Sequence, residues 1–166
     1  MTTKTTTPAG LGVRHDRIVQ EYQHDTYQLR GKLKEPTVCT KCEASFHKGR
    51  WTWGTKPADA DEIICPACMR IRDKYPKGFV TLKGSFKDEQ HEQIIGLVKN
   101  TEEAEKKEHP LSRIMSIDTK PEGLVISTTD THLPRRIGEG LKHAYHGELE
   151  LHYDRDEDFV RVTWTR

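Results

Sequence analysis

Four cysteines in two pairs are the feature of this sequence with the clearest chemistry. Two residues separate Cys39 from Cys42, two separate Cys65 from Cys68, and 22 residues lie between the pairs. A two-residue spacer lets both thiolates of a pair reach one ion about 2.3 Å away, and two pairs complete a tetrahedron. The spacing predicts one structural zinc ion held by Cys39, Cys42, Cys65 and Cys68.

The same cysteines allow other interpretations. They could form two redox motifs or two disulfides, although the start of the sequence lacks the apolar core of a secretory signal and no cysteine is left over. Tetrahedral thiolate sites also accept iron, so the sequence leaves zinc and iron open. Because four protein sulfurs leave no position for water or substrate, we expect the metal to hold the fold together rather than to catalyse.

Motifs of catalysis are missing from the sequence. It contains no Gly-rich phosphate loop, dinucleotide-binding fingerprint or nucleophile elbow. The acidic runs 102–108 and 154–158 are typical of solvated helix faces and turns. His143 and His146 lack a third ligand that would complete a metal site. We therefore expect a protein that is not an enzyme and has no small-molecule substrate.

Arginine, lysine and aromatic residues alternate around the cysteine pairs. This composition is typical of RNA-binding surfaces, where cations contact phosphates and rings stack on unpaired bases. Tryptophan can instead cover a metal site, and we expect one of Trp51 and Trp53 to do so. Arg135 and Arg136 lie at the start of a predicted helix. Two positive charges there oppose the helix dipole unless an anion lies nearby, so this pair is a second candidate anion-binding patch. The candidate RNA contacts are Arg30, Lys32, Lys34, Arg50, Trp51, Trp53, Arg70, Arg72, Lys74, Arg135 and Arg136.

The net charge of +1 conceals an asymmetry along the chain. Residues 1–84 hold 15 Lys and Arg against 9 Asp and Glu, whereas residues 85–166 hold 12 against 17. Four thiolates on one dication add −2 to the first half, which leaves it at about +4. This charge alone does not make a strong polyanion binder, and an ordinary solvated surface is the alternative.

Composition and periodicity divide the chain into three predicted segments. Residues 1–35 form a flexible basic N-terminal leader, residues 36–77 a zinc ribbon, and residues 78–166 a ferredoxin-like domain. No apolar run approaches the roughly 20 residues of a membrane-spanning helix, so we expect a cytoplasmic protein without a membrane partner. The predicted fold class is α+β.

The third segment shows alternating strand and helix patterns. Ser85 and Asp88 match a capping box before a helix over 88–107, and Leu133, Ile137 and Leu141 form the apolar stripe of a second helix. Asp130 or Thr131 is the expected N-cap of that helix, and Gly147 its terminator.

Strands are predicted over 79–83, 113–118, 124–128, 148–153 and 160–164. The order is β-α-β-β-α-β with one extra C-terminal strand.

Several stretches together resemble the archaeal and eukaryotic large-ribosomal-subunit export adaptor family. They are the paired CxxC motifs, CPACMRIR at 65–72, GFVTLKG at 78–84, IDTKPEGLVISTTD at 117–130 and LPRRIGEGLKHAYHGELELHY at 133–153. The resemblance covers about residues 37–166. The family carries additional CxxC pairs, later barrel domains and export signals that have no counterpart in this sequence, which therefore predicts a minimal, bacterial relative without nuclear export.

The resemblance implies binding to the ribosome and ribosomal RNA, with the four cysteines at the family's metal positions. The leading prediction is a non-enzymatic RNA-binding factor on the large subunit, its rRNA and ribosomal proteins, which acts in ribosome assembly, stress protection or hibernation. One alternative is a DNA-binding transcriptional regulator, although no reading helix is evident. The other is a protein-interaction adaptor, in which the acidic second half recruits a partner.

Overall fold

The computed structural model describes residues 25–29 and 31–166 of an α+β protein. Most of the predicted leader, residues 1–24, and the candidate RNA contact Arg30 lie outside the described residues. The described chain forms three helices and two mixed sheets, one of four strands and one of five. In these ranges no helix is both long enough and apolar enough to cross a membrane.

The four-stranded sheet and the helix that follows it contain all four cysteines. The strands are β1 (Thr37–Cys39), β2 (Ser45–His47), β3 (Arg50–Thr52) and β4 (Asp61–Ile63), and the helix is α1 (Pro66–Asp73). The sheet order is β3-β2-β1-β4. β2 pairs antiparallel with β1 and β3, whereas β4 pairs parallel with β1. We call residues 37–73 the cysteine module.

The five-stranded sheet and two helices form the rest of the chain, residues 78–166, which we call the sheet domain. Its elements are β5 (Gly78–Lys83), α2 (Asp88–Glu108), β6 (Ile114–Lys120), β7 (Gly123–Thr128), α3 (His132–Tyr145), β8 (Glu148–Asp154) and β9 (Phe159–Thr165). The elements and their order agree with the sequence patterns, and their bounds differ by one or two residues.

The last strand, β9, lies inside the sheet. The strand order is β6-β7-β5-β9-β8, with β9 parallel to β5 and antiparallel to β8. Val160, Val162 and Trp164 alternate along β9 and are at most 4% exposed. β8 is mostly exposed and takes the edge. The more apolar of the two final strands thus occupies the interior, because burying it removes more apolar surface from water.

The helix starts differ in part from the sequence prediction. The capping-box prediction for α2 is wrong, because the N-cap position is Lys87, which makes no side-chain capping bond. Asp88 and Glu89 place negative charge in the first turn instead, where the helix dipole favours it. At α3 the N-cap position is Thr131, one of the two predicted residues, but its side chain makes no capping bond. The Asp130 carboxylate instead accepts a hydrogen bond from the Leu133 backbone N–H at 3.2 Å.

The apolar stripe of α3 packs against the sheet as predicted. Leu133, Ile137 and Leu141 are fully buried in one core with strands β5, β7 and β9 and with Ile94 and Val98 of α2. The helix ends before Gly147, whose φ is +86° and where a Cβ would lie 2.5 Å from the Thr165 carbonyl oxygen. Glycine is therefore required at this turn, as expected for a terminator.

Candidate metal centre

The four cysteine sulfurs meet between β1 and the start of α1. The four Sγ atoms all lie within 4.8 Å of one another, and those of Cys42 and Cys65 are 3.8 Å apart. Thiolates about 2.3 Å from one ion at the corners of a tetrahedron are roughly 3.8 Å apart. The spacing fits a metal ion and is too long for a disulfide, so the cluster matches the metal-site prediction in place and ligand set.

The first cysteine pair lies on a tight turn after β1. The Cys39 N–H donates to the Ala44 carbonyl at 2.8 Å, and the Glu43 N–H donates to the Cys39 carbonyl at 3.0 Å. Glu43 adopts a φ of 64°, which lets the chain reverse within four residues. The Lys41 N–H donates to the Cys39 Sγ at 3.4 Å. The turn therefore points backbone donors at a sulfur as well as holding the pair together.

The second cysteine pair begins a helix, which the sequence patterns around it had not indicated. Cys65 is the N-cap of α1, and its Sγ accepts the Cys68 N–H at 3.4 Å. Pro66 occupies the first helical turn, where its missing N–H does no harm and its fixed φ favours the helix. A helix N-terminus stabilises nearby thiolates, because its free N–H groups and dipole favour negative charge.

Arg113, which precedes β6, completes the surroundings of the sulfurs, and no sequence pattern indicates that it does so. Its guanidinium donates to the Sγ atoms of Cys42 and Cys65 at 3.3 Å each and of Cys68 at 3.4 Å. The residue is 8% exposed. It lies 71 positions from Cys42, and the local sequence around it shows only the start of a strand. No spacing rule links it to the cysteines.

The pKa values of these groups follow from burial and from their hydrogen bonds. Burial alone would raise the pKa of Cys39, but the N–H groups of Cys65 and Lys41 outweigh it and lower the pKa to about 6. Burial raises the pKa of Cys65, and the neighbouring thiolates raise it further. A divalent metal ion at the centre would compensate the charge of four thiolates in so small a volume.

The two tryptophans near the cysteines have different surroundings. Trp51 packs against the buried cysteine cluster together with Leu111, which confirms that one tryptophan covers the metal site. Trp53 is 40% exposed, and its indole N–H donates to the Lys106 carbonyl at 2.6 Å. Trp51 thus packs against the cysteine cluster, whereas Trp53 is partly exposed, with its indole N–H bound to the C-terminal turn of α2 and the Lys106 ammonium 5.9 Å from its ring centre.

Arg70 conflicts with its prediction as an RNA contact. It is 4% exposed, and its guanidinium forms a salt bridge with Asp25 and donates to the Tyr75 carbonyl at 3.1 Å. The Tyr27 ring lies 4.5 Å from its guanidinium carbon. A phosphate would have to displace all three partners. Residues 25–29 thus cover the last turn of α1, which the sequence alone did not indicate.

Four other candidate cations form ion pairs at the surface. Lys34 pairs with Asp61, and Arg72 with its neighbour Asp73. Arg135 and Arg136 do find anions at the start of α3, and these are the chain's own Glu139 and Glu105, at 3.0 Å and 2.7 Å. The pairs of Lys34, Arg72 and Arg135 are exposed on both sides and contribute little to stability, whereas the Glu105 side chain is only 15% exposed. Lys32, Arg50 and Lys74 are exposed and form no ion pair within the described ranges.

Ser45 of β2 offers a test of the packing around the metal centre. It is 4% exposed, and its hydroxyl is buried without a hydrogen-bond partner in the described part of the chain. Burying an unpaired hydroxyl costs about 1–3 kcal/mol. We therefore expect Ser45→Ala to leave the metal content unchanged and to raise the free energy of unfolding by about 1 kcal/mol, as measured by urea denaturation. A comparable loss of stability would show that the hydroxyl has a partner.

Comparisons with known proteins do not identify a relative of this chain. No family model, no curated protein and no solved structure matches this chain. The likeness to the export adaptor family therefore rests on the sequence stretches given above, and it stays a prediction. What the structure establishes is an α+β protein with four cysteines within metal-binding distance of one another.

Proposed function

We propose that this protein is a non-enzymatic, cytoplasmic RNA-binding factor that carries one structural zinc ion and docks on the large subunit of the ribosome. The cysteine module would contact ribosomal RNA and ribosomal proteins. Assembly, stress protection and hibernation of the ribosome are the processes in which such docking acts. The metal centre, the fold and one exposed hairpin support this proposal.

The donor set supports zinc in a structural role. Four thiolates at tetrahedral spacing are the preferred surroundings of Zn²⁺, and they leave no open position for water or substrate. Cys39 and Cys65 are fully buried, and Arg113 closes the side next to the sheet domain. Thiolate ligands also accept iron, and mass-spectrometric metal analysis of the purified protein distinguishes zinc from iron directly.

The fold supports a two-part description that extends the observed α+β class. We propose that the cysteine module is a variant of the zinc ribbon in which the second cysteine pair lies at the start of a helix. We propose further that the sheet domain is a ferredoxin-like β-α-β-β-α-β unit into which β9 has been inserted. Neither architecture determines a function, so the RNA-binding proposal depends on which side chains are exposed at the protein surface.

The exposed β2–β3 hairpin carries the proposal. Lys48 and Arg50 lie at its tip, and neither forms an ion pair within the described residues. The Glu35 carboxylate accepts the backbone N–H groups of Lys48 and Gly49 at 2.9 Å and 3.0 Å, which fixes the tip in place. The side chains of Lys48 and Arg50 on this ordered turn can contact phosphates of an RNA backbone. Trp53, three residues after Arg50, can contact an unpaired base.

Ribosome sedimentation tests this proposal directly. We expect the wild-type protein to migrate with large subunits in a sucrose gradient, and Lys48→Glu/Arg50→Glu to weaken its affinity for them about tenfold and to flatten the salt dependence. The control is Lys99→Glu/Lys142→Glu, which makes the same charge change at exposed positions of α2 and α3. The control is expected to sediment like the wild type.

Other outcomes of the same experiment indicate other functions. Protein found only at the top of the gradient in every growth phase would contradict ribosome docking. A specific shift of duplex DNA at physiological salt, without preference for rRNA, would indicate a DNA-binding regulator. Equal loss of affinity in the hairpin and control variants would show that net charge, and not the hairpin, decides binding.

A protein-interaction adaptor is the second candidate, and one observation favours it. β8 is an edge strand, and Leu151 and Tyr153 on it are 48% and 50% exposed. Edge strands with exposed apolar side chains accept an extended segment of a partner as an additional strand. Binding that survives both nuclease treatment and high salt, and that is lost in Leu151→Glu, would support this function over RNA binding.

A further inference from the structure

We propose that Arg113 is a functional part of the metal centre, through which the sheet domain controls how firmly the cysteine module retains its metal. The residue does not bind the metal; it is a positioning residue that acts on three of the four sulfurs. The inference rests on metal occupancy of the four cysteines, which is part of the proposed function. It does not depend on RNA or ribosome binding.

Hydrogen-bond donors reach all four sulfurs, and they come from two sources. The Cys39 Sγ accepts the backbone N–H groups of Lys41 at 3.4 Å and Cys65 at 3.3 Å, both within the cysteine module. For Cys42 and Cys68, the Arg113 guanidinium is the N–H donor found among the described residues. The donors to the Cys39 sulfur thus come from the module, and the donors to the Cys42 and Cys68 sulfurs come from the sheet domain. The Cys65 sulfur accepts from both, from the Cys68 N–H and from Arg113.

The Arg113 side chain is held in place by the sheet domain alone. Its Nε donates to the Pro110 carbonyl at 3.0 Å, and its backbone N–H donates to the Thr129 hydroxyl at 3.0 Å. The Thr129 N–H donates back to the Arg113 carbonyl at 2.9 Å. With the backbone and Nε fixed by contacts within the sheet domain, the two terminal nitrogens are directed at the sulfurs. The sheet domain thus presents a preorganised cation to the module.

The charges explain why this cation matters. Four thiolates around a divalent ion have a net charge of −2, and one guanidinium halves it. Within the described chain, Arg113 forms no ion pair with a carboxylate, so the sulfurs are its anionic partners there. A buried cation needs such a partner, and buried thiolates need such a donor. Each therefore stabilises the other across the boundary between module and sheet domain.

A reciprocal coupling follows. If Arg113 strengthens metal binding by some factor, metal binding must strengthen the docking of module and sheet domain by the same factor. Removing a residue that hydrogen-bonds to metal ligands lowers metal affinity about 10–100-fold. Loss of the metal is then expected to loosen the contact of residues 109–113 with the module, while the core of the sheet domain stays folded.

Cobalt(II) is the probe for this proposal, because its thiolate complexes absorb light in proportion to metal bound. The full-length chain is loaded with Co²⁺ as wild type, Arg113→Gln and Arg113→Lys. Hydrogen bonds to thiolates lower the energy of sulfur lone pairs, so Arg113→Gln should move the sulfur-to-cobalt charge-transfer band to longer wavelength. It should also raise the rate of metal transfer to a competing chelator about tenfold or more. Arg113→Lys should fall between the two in both respects.

The matched control is Arg135→Gln, the same substitution at an exposed arginine that pairs with Glu139. It should show the wild-type band and transfer rate. A band and a rate in Arg113→Gln equal to those of the control would overturn the proposal. If Arg113→Gln does not fold, Arg113→Lys decides, because lysine keeps the charge but has one terminal nitrogen and no Nε–H to anchor it on Pro110, so it cannot reproduce the three hydrogen bonds to sulfur. Wild-type values in that variant would show that these hydrogen bonds do not govern metal retention and would overturn the proposal.

Hydrogen exchange tests the reciprocal coupling. In the wild type, chelation of the metal should raise amide exchange at residues 109–113 together with that of α1. In Arg113→Gln, exchange at 109–113 should already be high with metal bound and should no longer respond to the chelator. Unchanged protection of 109–113 after metal removal from the wild type would contradict the coupling, and this readout is independent of any loss of ribosome binding.

Discussion

Cys65→Ser is expected to remove the metal and to unfold the cysteine module, while the sheet domain stays folded. Cys65 is fully buried, forms the N-cap of α1 and accepts hydrogen bonds from Cys68 and Arg113. Its loss therefore removes a metal ligand, a helix cap and an Arg113 partner together. The module buries few large side chains beyond the cysteines, and a domain of this size needs a metal to fold. Structural zinc sites contribute about 10–16 kcal/mol of binding free energy.

The sheet domain has a core of its own, which is why we expect it to survive. Trp164, Leu82, Ile126 and Ile137 are among its large side chains with at most 1% exposure. Metal content measured by mass spectrometry and amide chemical-shift dispersion measured by NMR distinguish the two parts. Dispersed signals from β5–β9 with collapsed signals from the module are the expected result. Ser45→Ala serves as the control for a buried substitution close to the metal.

Two results would contradict this expectation. A Cys65→Ser protein that retains a full equivalent of metal would show that three cysteines and another ligand suffice. A protein whose sheet-domain signals also collapse would show that the sheet domain does not fold without the module. Removing the metal from the wild type with a chelator should reproduce the Cys65→Ser spectrum, because the same thiolates lose their central cation.

Asp25→Ala is expected to destabilise the protein by about 3–5 kcal/mol, the usual effect of breaking a buried ion pair. The Asp25 carboxylate pairs with Arg70, and with Lys77 at 3.0 Å. The side chains of Arg70 and Lys77 are only 5% and 19% exposed, so alanine would leave a buried guanidinium and a mostly buried ammonium without that partner. Lys77 keeps Asp158 at 2.7 Å, which makes Arg70 the residue most affected.

Urea denaturation measures this loss, with Asp59→Ala as the control at an exposed carboxylate that forms no ion pair within the described residues. The control should change the free energy of unfolding by less than about 0.5 kcal/mol. Adding Arg70→Met to Asp25→Ala should recover part of the loss, because the uncompensated buried charge is then gone. A change below about 1 kcal/mol in Asp25→Ala would show that residues 25–29 do not hold Arg70 in solution.

Acidification should reproduce part of the Asp25→Ala effect. Burial would raise the pKa of Asp25, but the hydrogen bonds from Arg70, from the Tyr27 N–H and from Lys77 outweigh it, so the pKa is lowered from 3.8. A carboxyl whose pKa is lowered by folding stabilises the protein fully above its unfolded pKa. That contribution is lost as the pH falls through the lowered folded value. Asp25→Ala should therefore have a flatter stability profile below about pH 4 than the wild type.

Local patterns in the sequence sufficed for the elements of the sheet domain and for the four clustered cysteines. The alternation of Val160, Val162 and Trp164 indicated a strand, and the spacing of Leu133, Ile137 and Leu141 indicated a helix, because both patterns arise from backbone geometry within a few residues. The two-residue spacers of the cysteine pairs specified four ligands for the same reason. Such inferences need no knowledge of which distant residues meet.

The electrostatic partners of the arginines could not be predicted, because they come from distant parts of the chain. Arg70 was predicted to contact phosphate, but it forms a buried ion pair with Asp25, which lies 45 residues earlier in the chain. Glu105, 31 residues before Arg136, neutralises a predicted anion-binding cation. Charge and residue type in the sequence show what an arginine can bind, and only the packing of the chain shows what it does bind.

The amino-acid sequence by itself determined the four cysteines that lie within metal-binding distance, the order of helices and strands in the sheet domain, and the apolar stripe of α3. The tertiary structure decided two further features, the insertion of β9 between β5 and β8 and the approach of Arg113 to three cysteine sulfurs. Both depend on contacts between residues that are far apart in the chain. Their free energies come from burial and from charge compensation in the folded molecule, which no local pattern records.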